Sequence, residues 1–210
     1  MLFIKTYFHF FLLTSIIFLC STNAIAQNEY KNLDEVKGLA IGQEVPIIEA
    51  IDQHNKLIRL HDLLNNGPVV IIFYRGFWCP ICNKHLSELQ ERLKTLKSLG
   101  VSVVAISPEK PEYLTKTSER TGAEFILLYD KDYQISNAFD LAFQPDSATV
   151  NTLEELLNID LTLYHSDESQ RLPVPATFIV NTDGVIVWRQ FNPDYRDRSE
   201  FSEILRNLPK

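Results

Sequence analysis

Phe73-Tyr74-Arg75-Gly76-Phe77-Trp78-Cys79-Pro80-Ile81-Cys82 follows the apolar run Pro68-Val69-Val70-Ile71-Ile72 and opens an amphipathic segment from Asn83 to Leu99. Val69 to Tyr74 is short, continuous and rich in β-branched residues, the pattern of a strand buried on both faces. Beyond Pro80 the period changes. Cys82, Leu86, Leu89, Leu93 and Leu96 recur at helical spacing and predict a helix that stops near Gly100. Two cysteines therefore sit where a buried strand hands over to a helix.

That position has chemical consequences. Pro80 suits the first helical turn, where its missing N–H costs nothing. Cys79 then lies at the helix N-terminus, where unpaired amides and the dipole favour an anion and draw a thiol pKa from about 8.5 towards roughly 7 or below. Arg75, four residues earlier, adds positive charge. Cys82 falls on the apolar stripe, so the expectation is an accessible, activated Cys79 and an inward Cys82 that resolves a mixed disulfide. Two other readings stay open: a pair of inert core thiols, or a metal site using Cys79, Cys82 and His85 along one helix face. No second Cys-x-x-Cys or paired histidine offers a fourth ligand. His85 either moves protons for the inner thiol or is a partly exposed helix histidine. Trp78 covers the cysteine loop or is a plain core tryptophan, and His54, His61 and His165 have no sequence partner. Val174-Pro175 precedes a buried strand and is a candidate cis bond that frees backbone groups to pair with an extended disulfide substrate. An ordinary trans proline at the strand edge is the alternative.

Around this centre the chain reads as strands at Ile47–Ile51 and Leu57–Leu60, a helical turn over His61–Asn65, and a strand at Val101–Ser107. A helix at Glu112–Arg120, a strand at Phe125–Tyr129 and a short helix at Gln134–Phe139 follow. Gln144 to Arg171 breaks the rhythm and reads as an insertion holding one helical turn, Leu153–Leu157. Val174–Val180 and Val185–Trp188 form a hairpin through Asp183-Gly184, and Ser199 is the expected N-cap of a closing helix to Leu208. The order implies α/β layers, a central mixed sheet flanked by helices, with an N-terminal strand pair and an insertion before the final hairpin.

The ends and composition narrow the function. Lys5, the apolar run Phe8–Leu19 and Ala24-Ile25-Ala26 form an export signal, expected to be cleaved after residue 26. The run is shorter than the ~20 residues of a membrane span, so no stable membrane insertion is expected after cleavage. Bulky Phe18 and Leu19 argue against a lipid anchor at Cys20. The expected location is the periplasm or cell envelope of a bacterium, and Asn28–Gly42 reads as a flexible lead-in (residues 27–42) to one domain over 43–210. The net charge of −7, one unit more acidic without Lys5, excludes nucleic acid and anionic lipid as natural partners. Only Cys79 and Cys82 survive processing, and a loop that short constrains the unfolded chain little. Redox chemistry explains the pair better than stability does.

Trp78-Cys79-Pro80-Ile81-Cys82, followed downstream by Val174-Pro175-Ala176-Thr177-Phe178, resembles the thioredoxin fold. From about Gly42 to Leu208 the chain resembles peroxiredoxin-like members of the alkyl hydroperoxide reductase / thiol-specific antioxidant family, through Tyr74–Pro80 and Leu172–Ile179. The resemblance implies a thiol-dependent peroxidase acting on hydroperoxides through the two cysteines, reset by an external dithiol such as a thioredoxin-like protein, with no cofactor or metal. Protein disulfide exchange is the alternative. The family pattern Pro-x-x-x-Thr-x-x-Cys places its attacking cysteine on Cys82, with Cys79 where the threonine stands and Arg75 where the proline stands. The arginine that the family carries before Ala-Thr-Phe is here Pro175. The buried acid that thioredoxins keep on the preceding strand falls on Phe73.

Overall fold

The computed structural model describes residues 30–210; the export signal expected over residues 1–26 lies outside the described residues. The elements run β1 (Glu49–Ile51), β2 (Leu57–Arg59), α1 (Leu60–Leu64), β3 (Val69–Phe73), α2 (Pro80–Ser98), β4 (Ser102–Ser107), α3 (Pro111–Thr121) and β5 (Ile126–Tyr129). They continue as α4 (Gln134–Ala138), β6 (Ala142–Phe143), α5 (Ser147–Asn151), a π-helical turn (Thr152–Leu156), α6 (Leu161–Tyr164), β7 (Leu172–Pro173), β8 (Ala176–Val180), β9 (Ile186–Phe191) and α7 (Phe201–Arg206).

Five strands form the central sheet in the order β5-β4-β3-β8-β9. β3 runs parallel to β4 and antiparallel to β8, so the sheet is mixed as expected. Alternation along β3 divides the core. Val70, Ile72 and Tyr74 face one layer with the α2 leucines, Leu114 and Ile204. Val69, Ile71 and Phe73 face the other with Ile58, Leu60, Phe139 and Phe178. Apolar side chains at period two on a strand covered on both sides produce the unbroken run seen in the sequence. The register places Phe73 opposite Ala176, so Pro175 lies at the same end of the sheet as the cysteine loop.

Three expectations need correction. The lead-in is held down: Val36 is buried, Gly38 and Leu39 amides donate to the Asp140 and Phe139 carbonyls, and Arg189 Nη1 donates to the carbonyls of Lys37, Gly38 and Leu39 at 2.9, 3.0 and 2.7 Å. Gly42, Gln43 and Val45 then pair with Ile186 and Gly184, covering the start of the β9 edge. Ser199 is not a helix cap. Glu200 caps α7 in a box with Glu203, because the Ser199 hydroxyl is engaged by Thr177 and His85. Val174–Pro175 is trans, as no cis peptide occurs among the described residues. β7 pairs with β6 and the Val174 amide donates to Leu141, so the chain enters β8 already extended, the geometry that a residue before proline prefers.

Arg189→Ala should leave the sheet intact but free the segment before β1. The expected outcome is a loss of about 1–3 kcal/mol, from charge-assisted bonds removed, with faster hydrogen exchange over residues 37–45. Unchanged exchange there would show that the guanidinium is not the tether.

Candidate active site

β3 ends at Phe73, the Tyr74 amide still donates to Ile106 of β4, and the chain then turns through Arg75-Gly76-Phe77-Trp78. Cys79 is the N-cap of α2, in extended conformation, and Pro80 occupies the first turn. The Cys79 Sγ accepts the Cys82 amide at 3.3 Å. The sequence-derived junction is thus present, and the two cysteines are joined in a disulfide. Their exposure differs from expectation. Cys79 is 0 % and Cys82 1 % exposed, so neither is the open sulfur.

A guanidinium reaches each sulfur. Arg75 Nη2 lies 3.4 Å from Cys79 Sγ, and Arg198 Nη2 lies 3.6 Å from Cys82 Sγ. Arg75 is held between aromatic faces, 3.8 Å from the centroid of Tyr195 and 5.1 Å from that of Trp78. Burial lowers the Arg75 pKa to about 10, and burial together with the Arg75 charge lowers that of Arg198 to about 10. Both remain cations at neutral pH. Arg75 Nε is buried without a hydrogen-bond partner.

Behind the loop is an acid that the sequence did not single out. Glu109 is fully buried, with Oε1 accepting the Phe77 amide at 2.5 Å and Oε2 accepting the Thr117 hydroxyl at 3.3 Å. Burial raises its pKa to about 8. Gly76 makes this packing possible. A Cβ there would lie 2.5 Å from Trp78 Nε1 and 2.8 Å from Glu109 Oε1, and its φ of +156° suits glycine. The available signal was a carboxylate following Ser107-Pro108 at the end of β4, the strand beside β3.

Trp78 is buried and directed. Its Nε1–H donates to His165 Nε2 at 3.4 Å, while His165 Nδ1 lies 2.6 Å from Tyr133 Oη. The Tyr133 hydroxyl donates to the Arg171 carbonyl. A neutral His165 protonated on Nδ1 satisfies all three bonds, and burial lowers its pKa to about 4. This histidine, unassigned from sequence, ties the cysteine loop to the insertion.

His85 does not point its ring nitrogen at sulfur. Nε2 lies 3.2 Å from the Ser199 carbonyl and 3.3 Å from its hydroxyl, and Ser199 Oγ lies 2.8 Å from Thr177 Oγ1. Burial, then the Arg198 charge, lowers its pKa to about 4. His85 is buried rather than partly exposed, and it anchors the segment that presents Arg198. No group of three or more His, Cys, Asp or Glu side chains able to hold a metal converges among the described residues.

The insertion supplies a wall. A groove of about 740 Å³ runs between Trp78, Pro80 and Ile81 on the cysteine loop and Leu153, Leu157 and Ile159 opposite, with Arg75 and Tyr195 at its inner side. Its lining is mostly apolar and includes Arg75, the guanidinium that contacts Cys79. Pro175 stands at the sheet end beside this site, with its peptide bond trans.

Over 101 residues the chain is 32 % identical to peroxiredoxin Bcp of Escherichia coli K12, a match covering 48 % of this chain and 64 % of that protein. It is 24 % identical over 152 residues to the thiol-disulfide oxidoreductase ResA of Bacillus subtilis, covering 72 % of this chain and 67 % of that one. The fold is shared with peroxidoxin BcpB of Mycobacterium tuberculosis at a TM-score of 0.58 and 22 % identity, covering 73 % of this chain and 86 % of that one. Residues 41–189 match the AhpC/TSA family, and the protein belongs to that family.

Proposed function

We propose that the protein is an exported thiol-dependent peroxidase that reduces hydroperoxides through Cys79 and Cys82. The observation that carries this reading is a bonded cysteine pair at the N-terminus of α2 with a guanidinium on each sulfur. In the reduced protein the Cys82 thiolate attacks the distal peroxide oxygen. The O–O bond breaks, an S–O bond forms, and the alkoxide leaves as the alcohol after taking up a proton. Cys79 then attacks the Cys82 sulfenic acid, forming the disulfide and releasing water. A thioredoxin-like dithiol from outside returns both sulfurs to thiols by exchange. Arg75 and Arg198 favour the anionic forms of sulfur on which both steps depend. The mostly apolar groove beside Trp78, which includes Arg75 in its lining, supports this reading as the place where a peroxide would dock. Export belongs to the same proposal and rests on Lys5, Phe8–Leu19 and Ala24-Ile25-Ala26; no helix among the described residues is long and apolar enough to cross a membrane.

Disulfide exchange with other exported proteins is the second reading. It is favoured by the position of Cys79, which caps α2 and accepts the Cys82 amide, an arrangement that suits Cys79 as a nucleophile. Peroxide consumption driven by a thioredoxin-like reductant separates the two. Cys82→Ser should abolish it. Cys79→Ser should consume a single equivalent of peroxide and then turn over far more slowly with a dithiol. Loss confined to Cys79→Ser, with insulin disulfides reduced and peroxide untouched by the wild type, would establish exchange instead.

The buried groups of the site also set the stability profile. His85 and His165 have folded pKa values of about 4, below the ordinary 6.5, so the unfolded chain binds more protons and stability falls as pH drops below about 6.5. Glu109 has a folded pKa of about 8, above the ordinary 4.5, so here the folded chain holds the proton and stability falls as pH rises towards 8. Two histidines outweigh one glutamate in the acid range, which puts the contribution of these three groups at its maximum near pH 6.5. Urea unfolding across pH 5–9 should show this maximum, and Glu109→Gln should flatten the decline on its alkaline side. A decline of equal slope in Glu109→Gln would exclude the carboxyl as its source.

A further inference from the structure

Phe77 stands just before Trp78 and Cys79 and gathers aromatic rings and cations around it at the surface. Tyr113 of α3 stacks on it with centroids 6.0 Å apart, and Tyr164 of α6 packs on both, 6.2 Å from Phe77 and 4.8 Å from Tyr113. All three residues are half-buried, and neighbouring Leu163 is 52 % exposed. Lys116 and Arg120 follow Tyr113 at helical spacing on α3 and share its face. Lys116 Nζ lies 4.5 Å from the Tyr113 centroid, and Arg120 Cζ lies 4.2 Å from that of Phe77. Both cations are exposed.

We infer that this face is the docking surface for the external reductant, and that the reductant is a protein dithiol with carboxylates around its own sulfurs. The inference takes from the peroxidase reading only the need for an outside dithiol to reset the pair. Charge is the first argument. The chain has a net charge of −7, yet among the described residues neither Lys116 nor Arg120 makes a carboxylate ion pair. Glu109 feels the Arg120 charge from behind the loop, but with a pKa of about 8 it is mostly neutral at pH 7. Unneutralised cations beside the redox centre of an acidic protein complement an acidic partner and disfavour a basic one.

Rigidity is the second argument. The Phe77 amide donates to Glu109, and its carbonyl accepts Asn83 Nδ2 at 2.7 Å and Arg120 Nη1 at 3.1 Å. Asn83 follows Cys82 directly on α2, so the cluster holds a fixed position relative to the disulfide. A partner seated there spends little on ordering it, and aromatic rings with arginine are the side chains that carry most binding energy at protein interfaces. The chemistry also asks for such a hold. One partner thiolate attacks a sulfur of the Cys79–Cys82 bond, forming a mixed disulfide and freeing the other sulfur as thiolate. The partner's second thiolate then displaces the remaining cysteine, so the partner leaves as its own disulfide and its two protons end on Cys79 and Cys82. Neither sulfur is exposed, so the partner has to stay at the loop until one comes within reach.

The probe is reduced bacterial thioredoxin of net negative charge, with dithiothreitol as the small uncharged reference. Quenched alkylation and gel shift give the rate at which each reduces the Cys79–Cys82 disulfide, with no peroxide present. In Lys116→Glu/Arg120→Glu the thioredoxin rate relative to the dithiothreitol rate should fall about tenfold at low salt. Added salt should bring the wild-type ratio down towards that of the variant. A thioredoxin-fold dithiol protein of net positive charge should show the opposite preference and act faster on the variant. Circular dichroism checks that the variant is folded. Should the double variant not fold, Lys116→Glu alone, whose ammonium overlies aromatic rings only, should lower the ratio roughly threefold. Equal ratios in wild type and folded variant at low salt would overturn the assignment. So would sedimentation showing a wild-type dimer that the substitutions dissolve, because the face would then belong to a second copy of this chain. A wild type with the charge-dependent ratio that consumes no peroxide would support the docking surface and refute the peroxidase reading.

Discussion

The side chain of Cys79 is the N-cap of α2, and the rest of the site depends on that one bond. A capping residue must be extended while its successors are helical, and it must accept an amide that the helix leaves unpaired. Here sulfur is the acceptor, taking the Cys82 amide, and Pro80 begins the helix without an amide to lose. Capping fixes the separation of the two cysteines and directs the positive end of the helix at Cys79. It also sets where α2 starts, and the stripe from Leu86 to Leu96 then seats the helix on β3 and β4.

Everything else at the site is support brought from a distance. Glu109 from the end of β4 receives the amide of Phe77, His165 from the insertion receives the indole N–H of Trp78, and Ser199 from the approach to α7 binds His85. Each attachment pins one part of the loop or its neighbour. Together they bury both sulfurs and still leave two unpaired cations in contact with them. That combination costs folding free energy, since desolvated guanidiniums are unfavourable without a carboxylate. Such expense is what a redox site requires, because the charge lost to solvent is regained when a thiolate forms.

The parts of this arrangement that were legible in the sequence are those governed by local period. Val69–Phe73 could be read as a central strand because both of its faces are covered, and α2 because Cys82, Leu86, Leu89, Leu93 and Leu96 share a face; all of these are buried. The position of the cysteine pair followed from the change of period at Pro80. Arg198, Glu109 and His165 were illegible for the opposite reason. Their partners are 116, 32 and 87 residues away, and a single charged residue in a polar segment carries no periodic signal. The order of residues before β1 was hidden in the same way, since its tether is Arg189, about 150 positions downstream. Accessibility of Cys79 was misjudged because helix position gives the charge environment of a sulfur but not what the rest of the chain lays over it.

The central claim is that Cys82, flanked by Arg198, takes oxygen directly from a hydroperoxide. Fully reduced Cys79→Ser protein, given one equivalent of cumene hydroperoxide with dimedone present, tests it without a reductant or a partner protein. Peptide mass mapping should find the sulfenic acid adduct on Cys82, with the peroxide consumed in equal amount. Unmodified Cys82 in folded protein, with the peroxide still present, would contradict the account.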